Sequence, residues 1–198
     1  MDLRNVSALQ TSNLQFSFKK AHGTTMCSLV VKEIVKYYLN NASDVIGCFL
    51  DATKAFDRLR HDRLFQLLID RSTNVIDLRA LKDLYLRQMT RAKWNSSESE
   101  YFQTINGVRQ GGVASPIFFC IYMDELLSRL KRNGCGCWLG RHYVASICYA
   151  DDLTLLAPTV EGLQQMLKVC EEYAKEYGML YNPTKSVCLM FNNVQQFE

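Results

Sequence analysis

The stretch Ser-Ile-Cys-Tyr-Ala-Asp-Asp-Leu-Thr-Leu-Leu-Ala, residues 146–157, places two adjacent acids between two short apolar runs. This pattern predicts a strand, a tight turn and a second strand, with Asp151 and Asp152 at the turn. Two neighbouring carboxylates repel each other and add nothing to a hydrophobic core, so a positive charge is expected beside them. A divalent metal ion is the obvious candidate. The alternative is an ordinary solvated turn, because Asp is common in turns.

A third acid follows another apolar run. Residues 45–51 read Val-Ile-Gly-Cys-Phe-Leu-Asp, which predicts a buried strand that ends in Asp51. If this strand lies beside the 146–157 hairpin, its acid meets Asp151 and Asp152 at one edge of a sheet. Three carboxylates on rigid strands can hold two Mg²⁺ ions about 4 Å apart, an arrangement used for in-line phosphoryl transfer.

The remaining apolar periodicity predicts mostly helices. They span residues 25–38, 54–70, 77–89, 116–132 and 160–177, and a last strand covers 186–191. Strands and helices alternate, but the hairpin requires antiparallel pairing, so the predicted class is α+β.

A glycine-rich segment, Asn-Gly-Val-Arg-Gln-Gly-Gly-Val-Ala-Ser-Pro, occupies residues 106–116. Its glycines free the backbone to approach a ligand closely, and Gln110 offers both a donor and an acceptor. Ser115 and Pro116 predict the N-cap and first residue of a helix that stops at Gly134. The loop is a candidate for cradling a base pair. An ordinary loop before a helix is the alternative, which explains Ser-Pro but not Arg-Gln-Gly-Gly.

The segment Gly-Met-Leu-Tyr-Asn-Pro-Thr-Lys-Ser, residues 178–186, places Lys185 at a turn before the last strand. A lysine there could protonate a departing pyrophosphate as a general acid. An exposed surface lysine explains the segment equally well.

Together these segments resemble motifs A, B, C and D of reverse transcriptases, at residues 49–57, 109–116, 149–152 and 182–186. The closest resemblance is to non-LTR (LINE-type) retrotransposons, and residues 14–25 resemble the segment that precedes motif A there. The resemblance implies a right-hand polymerase palm, with an antiparallel sheet, helices packed on one face and partial fingers. It also implies RNA-templated DNA synthesis by two-metal nucleotidyl transfer.

The resemblance also assigns roles to individual residues. Asp51, Asp151 and Asp152 become the ligands of two Mg²⁺ ions, with Mn²⁺ as an alternative ion, and act as catalytic residues together with Lys185. Phe56 takes the position of a steric gate, because a bulky ring there would clash with a ribose 2′-hydroxyl. Its alternative role is a core aromatic of the helix. The other implied substrate-binding residues are Arg109, Gln110, Gly111, Tyr149 and Ala150.

The resemblance further predicts how the chain is organised and what it binds. Residues 1–198 form a single domain fragment, with partial fingers over about 1–44, a palm with interspersed fingers helices over about 45–198, and no thumb. The expected partners are an RNA template, a DNA primer, deoxynucleoside triphosphates and the remainder of a retrotransposon polyprotein. Two alternatives stay open: a truncated, non-catalytic palm fragment that at most binds nucleic acid, or another palm polymerase.

Composition agrees with an intracellular globular protein of the nucleus or cytoplasm. The chain has 198 residues, of which 48% are hydrophobic, and it contains no apolar run long enough to cross a membrane. Its eight scattered cysteines predict reduced thiols. A net charge of +3 is weak for a nucleic-acid enzyme. Residues 58–93 carry nine Lys or Arg against four acids, which predicts either a nucleic-acid surface or a solvated basic face.

Overall fold

The computed structural model describes residues 9–19, 22–109 and 111–192. The helices are α1 (Thr24–Asn40), α2 (Ala55–Arg58), α3 (His61–Asp70), α4 (Val75–Leu86), α5 (Ser115–Asn133) and α6 (Val160–Tyr177). The main strands are β1 (Val45–Leu50), β8 (Ser146–Tyr149), β9 (Asp152–Ala157) and β10 (Val187–Phe191). Short strands lie between them: β2 (Met89–Thr90), β3 (Lys93–Trp94), β4 (Ser97–Glu98), β5 (Phe102–Gln103), β6 (Trp138–Leu139) and β7 (His142–Tyr143).

The four main strands form one antiparallel sheet in the order β10-β1-β9-β8. The hairpin predicted from residues 146–157 is present as β8 and β9, joined by a turn of two residues. The first strand, β1, lies between β9 and β10, with Cys48 opposite Leu155 on one side and Cys188 on the other. The predicted α+β class is therefore confirmed, and β1 is a central strand as its apolar sequence requires.

Helices α5 and α6 cover one face of this sheet. The buried residues of α6 recur every three or four positions, which places them on a single helix face; they are Leu163, Met166, Cys170, Tyr173 and Tyr177. In the core Tyr173 is fully buried, and its hydroxyl donates to the carbonyl oxygen of Tyr122 in α5 at 2.6 Å. This bond satisfies a buried polar group and ties α6 to α5.

Helix α1 lies on the opposite face of the sheet. Cys48 and Leu155 form a cross-strand pair on the face of the sheet that α6 covers. The next pair, Phe49 and Thr154, therefore lies on the other face. Both residues line a cavity together with nine residues of α1, from Thr24 to Asn40. The predicted packing of helices on one face therefore describes α5 and α6, and α1 adds a helix across from them.

The helix predicted over 54–70 is two helices, α2 and α3, with a break at Leu59 and Arg60. Leu59 has φ −53° and ψ 118°, and its carbonyl accepts from the amide of Gly107 at 2.7 Å. Arg60 forms an isolated antiparallel bridge with Asn106. A long-range backbone pairing therefore interrupts the helix, which local periodicity does not reveal.

Three smaller predictions also differ from the structure. Helix α4 ends at Leu86 rather than 89, and the short strands of residues 89–103 follow it. Helix α5 begins at Ser115, with Ala114 as N-cap. The Ser115 hydroxyl does not cap the helix, because it donates to the carbonyl of Arg109 at 2.6 Å. Among the described residues, no helix is both long and apolar enough to cross a membrane.

Candidate active site

The three predicted acids lie at one end of the main sheet. Asp51 directly follows β1 and Asp152 is the first residue of β9. Since Leu50 is paired with Leu153 in the register of these strands, Asp51 and Asp152 are the next residues outward on neighbouring strands. Both side chains line the same cavity. Asp151 occupies the turn one residue earlier. The antiparallel register therefore brings the three acids to the same end of the sheet.

The charges of the three acids act on one another. The pKa of Asp152 is raised above its usual value, first because its carboxylate is partly withdrawn from water and then because of the negative charges of Asp151 and Asp51. A fold gains no stability from such a cluster of like charges. The raised pKa therefore marks a place where a bound cation would relieve repulsion.

The chemistry of this cluster fits a hard divalent cation. Carboxylate oxygens are the ligands that Mg²⁺ prefers, and Mg²⁺ needs only one or two of them when substrate phosphates supply others. Within residues 9–19, 22–109 and 111–192, no three His, Cys, Asp or Glu side chains are grouped closely enough to hold a metal ion by themselves. The two-metal site thus stays a prediction, supported by the donor chemistry.

The turn that carries Asp151 is held by residues that sequence reasoning missed. Ala150 has φ 54°, in the left-handed region that a residue with a Cβ rarely adopts. The thiol of Cys148 donates to the carbonyl of Ala150 at 3.3 Å, and the side-chain amide of Gln15 donates to the Cys148 sulfur at 3.4 Å. Gln15 is fully buried. These hydrogen bonds hold the strained turn in place. Tyr149, the residue before the turn, lines the cavity.

The backbone around Asp51 is fixed by the segment that carries Lys185. The amide of Asp51 donates to the Ser186 hydroxyl at 3.2 Å, and its carbonyl accepts from the amide of Asn182 at 2.8 Å. The amide of Thr53 donates to a further carbonyl in the same segment, that of residue 180, at 2.8 Å. These bonds place Lys185, which is exposed, on the cavity that Asp51 and Asp152 line.

The glycine-rich loop is anchored on α4 through Arg109. The guanidinium donates to the side-chain oxygen of Gln88 at 2.9 Å and to the carbonyl of Leu84 at 3.3 Å. Arg109 was predicted to bind substrate, and these contacts give it a positioning role in the loop. Gly111 has φ 78° with open space around its Cα, which suits close approach of a ligand. Gln110 lies outside the described residues.

Phe56 lies in α2, and its ring is half-buried. It stacks on the ring of Phe119 in α5, with centroids 4.1 Å apart and planes inclined by 17°. Its carbonyl accepts from the amide of Val108 at 2.9 Å, at the start of the glycine-rich loop. Because Phe119 is fully buried, the stack fixes the ring while one side stays accessible. This placement shows the core contact of the alternative role, and the steric gate stays a prediction.

The cavity beside the acids has a volume of about 960 Å³ and separates the sheet from α1. Lys32 and Lys36 line it from the helix, and Asp51 and Asp152 line it from the sheet. These lysines were not among the predicted site residues, although their spacing of four residues places them on one helix face. The cavity therefore offers positive charge on one wall and carboxylates on the other.

The basic segment 58–93 is largely neutralised within the chain. Six of its nine cationic side chains form ion pairs, which are Arg60–Asp62, Arg63–Glu176, Arg71–Asp124, Arg87–Asp83, Arg91–Glu98 and Lys93–Glu98. A cation already paired with a carboxylate contributes less to phosphate binding. These contacts favour the interpretation of a solvated, ion-paired face over a nucleic-acid surface.

Comparison with protein families gives one match over nearly the whole chain. The model described as "Reverse transcriptase (RNA-dependent DNA polymerase)" matches residues 2–197. Among individual proteins, the Pol polyprotein of the R2 retrotransposable element of Nasonia vitripennis is 29% identical over 171 residues, covering 86% of this chain and 17% of that protein. The RNA-directed DNA polymerase of the mobile element jockey from Drosophila funebris is 24% identical, covering 90% of this chain and 20% of that protein.

Solved structures share the fold. Telomerase from Candida tropicalis, in complex with a fragment of telomeric RNA, superposes with a TM-score of 0.68 at 14% identity, covering 89% of this chain and 30% of that one. Telomerase from Candida albicans gives the same TM-score and identity. The predicted right-hand polymerase palm is therefore confirmed as the fold. The chain spans about a sixth of the R2 relative that it matches and under a third of the telomerase chain.

Proposed function

We propose that this chain, which belongs to the reverse transcriptase (RNA-dependent DNA polymerase) family, supplies the catalytic palm for RNA-templated DNA synthesis. The observation that carries the proposal is the meeting of Asp51, Asp151 and Asp152 at one end of an antiparallel sheet, where Asp152 feels the charge of the other two. The partners we propose are an RNA template, a DNA primer and deoxynucleoside triphosphates. Because the matched relatives are much longer retrotransposon proteins, we also propose the remainder of such a polyprotein as a partner.

The proposed cofactor is a pair of Mg²⁺ ions, with Mn²⁺ as an alternative, which would activate the attacking 3′-hydroxyl and neutralise charge on the triphosphate. Asp51, Asp151 and Asp152 would hold them: Asp51 and Asp152 line the cavity, and Asp151 lies beside Asp152 in the turn. Asp151 adds its charge from the turn and strengthens the attraction for cations. Each acid thus has a role in cation binding. These roles explain why the fold keeps three mutually repelling carboxylates close together.

Cationic side chains around the cavity supply the complementary charge. Lys185 lines the same cavity as Asp51, which suits a general acid that protonates the departing pyrophosphate. Lys32 and Lys36 on α1 line the opposite wall, where their charge would attract a polyphosphate. The ammonium groups therefore orient and neutralise the substrate, while the carboxylates face the reacting end.

The loop and the half-buried ring supply selectivity. Phe56 would exclude a ribose 2′-hydroxyl, because its stack on Phe119 prevents the ring from moving aside. Gly111, together with Gln110, Tyr149 and Ala150, would contact the base pair and primer end. In domain terms we propose partial fingers up to about residue 44 and a palm with interspersed fingers helices beyond it.

The test is primer extension by the natural protein that carries this chain, on an RNA template with a DNA primer, deoxynucleotides and Mg²⁺. We expect DNA product, and a loss of at least about 100-fold in Asp152→Asn, the range for removing one group that stabilises transition-state charge. Asp44→Asn is the matched control, because Asp44 is exposed just before the opposite end of β1.

Two outcomes would reject the proposal. One is the absence of any product from the wild-type protein, which would favour a non-catalytic palm that binds nucleic acid. The other is undiminished synthesis in Asp152→Asn. A preference for ribonucleotides over deoxynucleotides would instead indicate another palm polymerase.

A further inference from the structure

Two cysteines face each other across neighbouring strands of the main sheet. Cys48 in β1 and Cys188 in β10 are directly opposite in the antiparallel register. Their sulfur atoms lie 2.9 Å apart, and both are free thiols. The sequence separates them by 140 positions, so only the fold brings them together.

The two thiols differ in their access to solvent. Cys188 is exposed on the edge strand β10, whereas Cys48 is only 2% exposed. Burial, and after it the hydrogen bond with Cys188, raise the pKa of Cys48 to about 12. A soluble reagent therefore reaches the thiol of Cys188 first. The buried thiol of Cys48 lies in contact with it.

The backbone already meets the spacing that a disulfide requires. Directly opposed residues of antiparallel strands have Cα atoms roughly 4.5 or 5.5 Å apart, and disulfides span Cα distances of about 4.4–6.8 Å. Rotation of the two side chains therefore suffices to join the sulfurs, without a shift in strand register. The two strands carry five consecutive paired positions, which keep the cysteines opposite each other.

We propose that Cys48 and Cys188 form a redox-active pair that closes to a reversible disulfide when it meets a small disulfide such as glutathione disulfide. The thiolate of Cys188 attacks one glutathione sulfur, forming a mixed disulfide and releasing one glutathione thiolate. The sulfur of Cys48 then attacks the sulfur of Cys188 and passes its proton to the second glutathione, which leaves as a thiol. Two cysteine thiols lose two electrons, and glutathione disulfide gains them as two glutathione thiols.

The position of the pair couples it to the end of the sheet. Asp51 follows Cys48 by three residues, and Ser186, whose hydroxyl accepts from the Asp51 amide, precedes Cys188 by two. A covalent bond here joins the strand of Asp51 to the edge strand that follows Lys185. Oxidation would therefore link the edge strand β10 covalently to β1, close to Asp51. This inference does not depend on the proposed polymerase activity.

The experiment incubates the reduced, folded chain with glutathione disulfide, quenches it with acid, alkylates free thiols and maps the peptides by mass spectrometry. We expect a Cys48–Cys188 linkage that leaves six of the eight cysteines alkylated and that dithiothreitol reverses. In Cys48→Ser the reaction stops at a glutathione adduct on Cys188. In Cys188→Ser the buried Cys48 gains no adduct.

Cys135→Ser is the matched control, because Cys135 is a partly exposed free thiol in the same chain and is expected to leave the linkage unchanged. Circular dichroism of each variant establishes that the comparison is made on folded protein. The proposal is overturned if all eight thiols stay free, if the linkage joins other cysteines, or if Cys188 forms only intermolecular dimers. It is equally overturned if Cys48→Ser and wild type give the same glutathione adduct.

Discussion

Replacing Asp152 with Asn removes one negative charge from the end of the sheet and keeps the size of the side chain. If Asp51, Asp151 and Asp152 form one cluster, this change eliminates part of their mutual repulsion. We therefore expect Asp152→Asn to stabilise the folded chain even though it removes a residue proposed to be essential. An acid that had only a structural role would give the opposite result.

The size of the gain follows from the exposure of the group. Asp152 is exposed, so solvent screens its interactions, and pairs of exposed charges contribute about 0.2–1 kcal/mol. Two neighbouring acids act on it, which gives a gain of about 0.5–1 kcal/mol in the free energy of unfolding. For a chain of this length, that corresponds to a rise in Tm of roughly 1–4 °C.

The gain depends on pH in a defined direction. Because the folded state raises the pKa of Asp152, the folded chain binds this proton more tightly than the unfolded chain does. The penalty is absent below the ordinary aspartate pKa, where the group is neutral in both states, and is fully present above the raised pKa. The stabilisation by Asn should therefore appear as pH rises through this window and persist at neutral pH.

The assay is thermal unfolding by circular dichroism or calorimetry between about pH 3.5 and 7.5, at low ionic strength where repulsion is least screened. Asp44→Asn is measured in parallel and should change the Tm little at any pH. A lower Tm for Asp152→Asn at neutral pH, or an equal gain at acidic and neutral pH, would refute the reasoning. Added salt should reduce the gain.

Three further substitutions test the surroundings of the acids. Ser186→Ala leaves the Asp51 amide without its partner, so unfolding should become easier by about 1 kcal/mol, measured by urea titration. Arg109→Met removes the hydrogen bonds to Leu84 in α4 and to Gln88 just after it, so limited proteolysis should cut the glycine-rich loop faster while circular dichroism stays unchanged. Phe56→Ala should lower stability by at least about 1 kcal/mol through the lost stack. It should also raise ribonucleotide incorporation in primer extension, and unchanged sugar selectivity would leave Phe56 a core aromatic only.

The parts of the fold that the sequence predicts are those with strong local patterns. The apolar run before Asp51 and the runs on both sides of Asp151 become β1, β8 and β9 because each is buried on at least one face. Helix α6 follows from its regular apolar spacing and from Gly178, which adopts φ 72° at its C-terminus. In these segments local preference and tertiary packing agree.

The parts that sequence reasoning missed depend on contacts between distant segments. Leu59 interrupts a helix because it pairs with Gly107, and no local feature of residues 54–70 encodes that partner. Gln15 supports the turn of Asp151 through Cys148, across 133 positions of sequence. The polar residue Gln15 beside the apolar Phe16 was a usable signal in the sequence. An amide that is buried with such a neighbour needs a hydrogen-bond partner. Predicting that Lys32 and Lys36 of α1 line the cavity would have required knowing which face of the helix meets the sheet.

The most direct test of the central claim is a titration of the ¹⁵N-labelled chain with paramagnetic Mn²⁺, followed by NMR. If the acids form one cation site, the amide signals of Asp51, Asp151 and Asp152 should broaden together at the same Mn²⁺ concentration. The signal of Asp44, at the other end of β1 and roughly 23 Å away along an extended strand, should weaken far less. Broadening of the three signals at separate concentrations, or no selective broadening among them, would contradict the account.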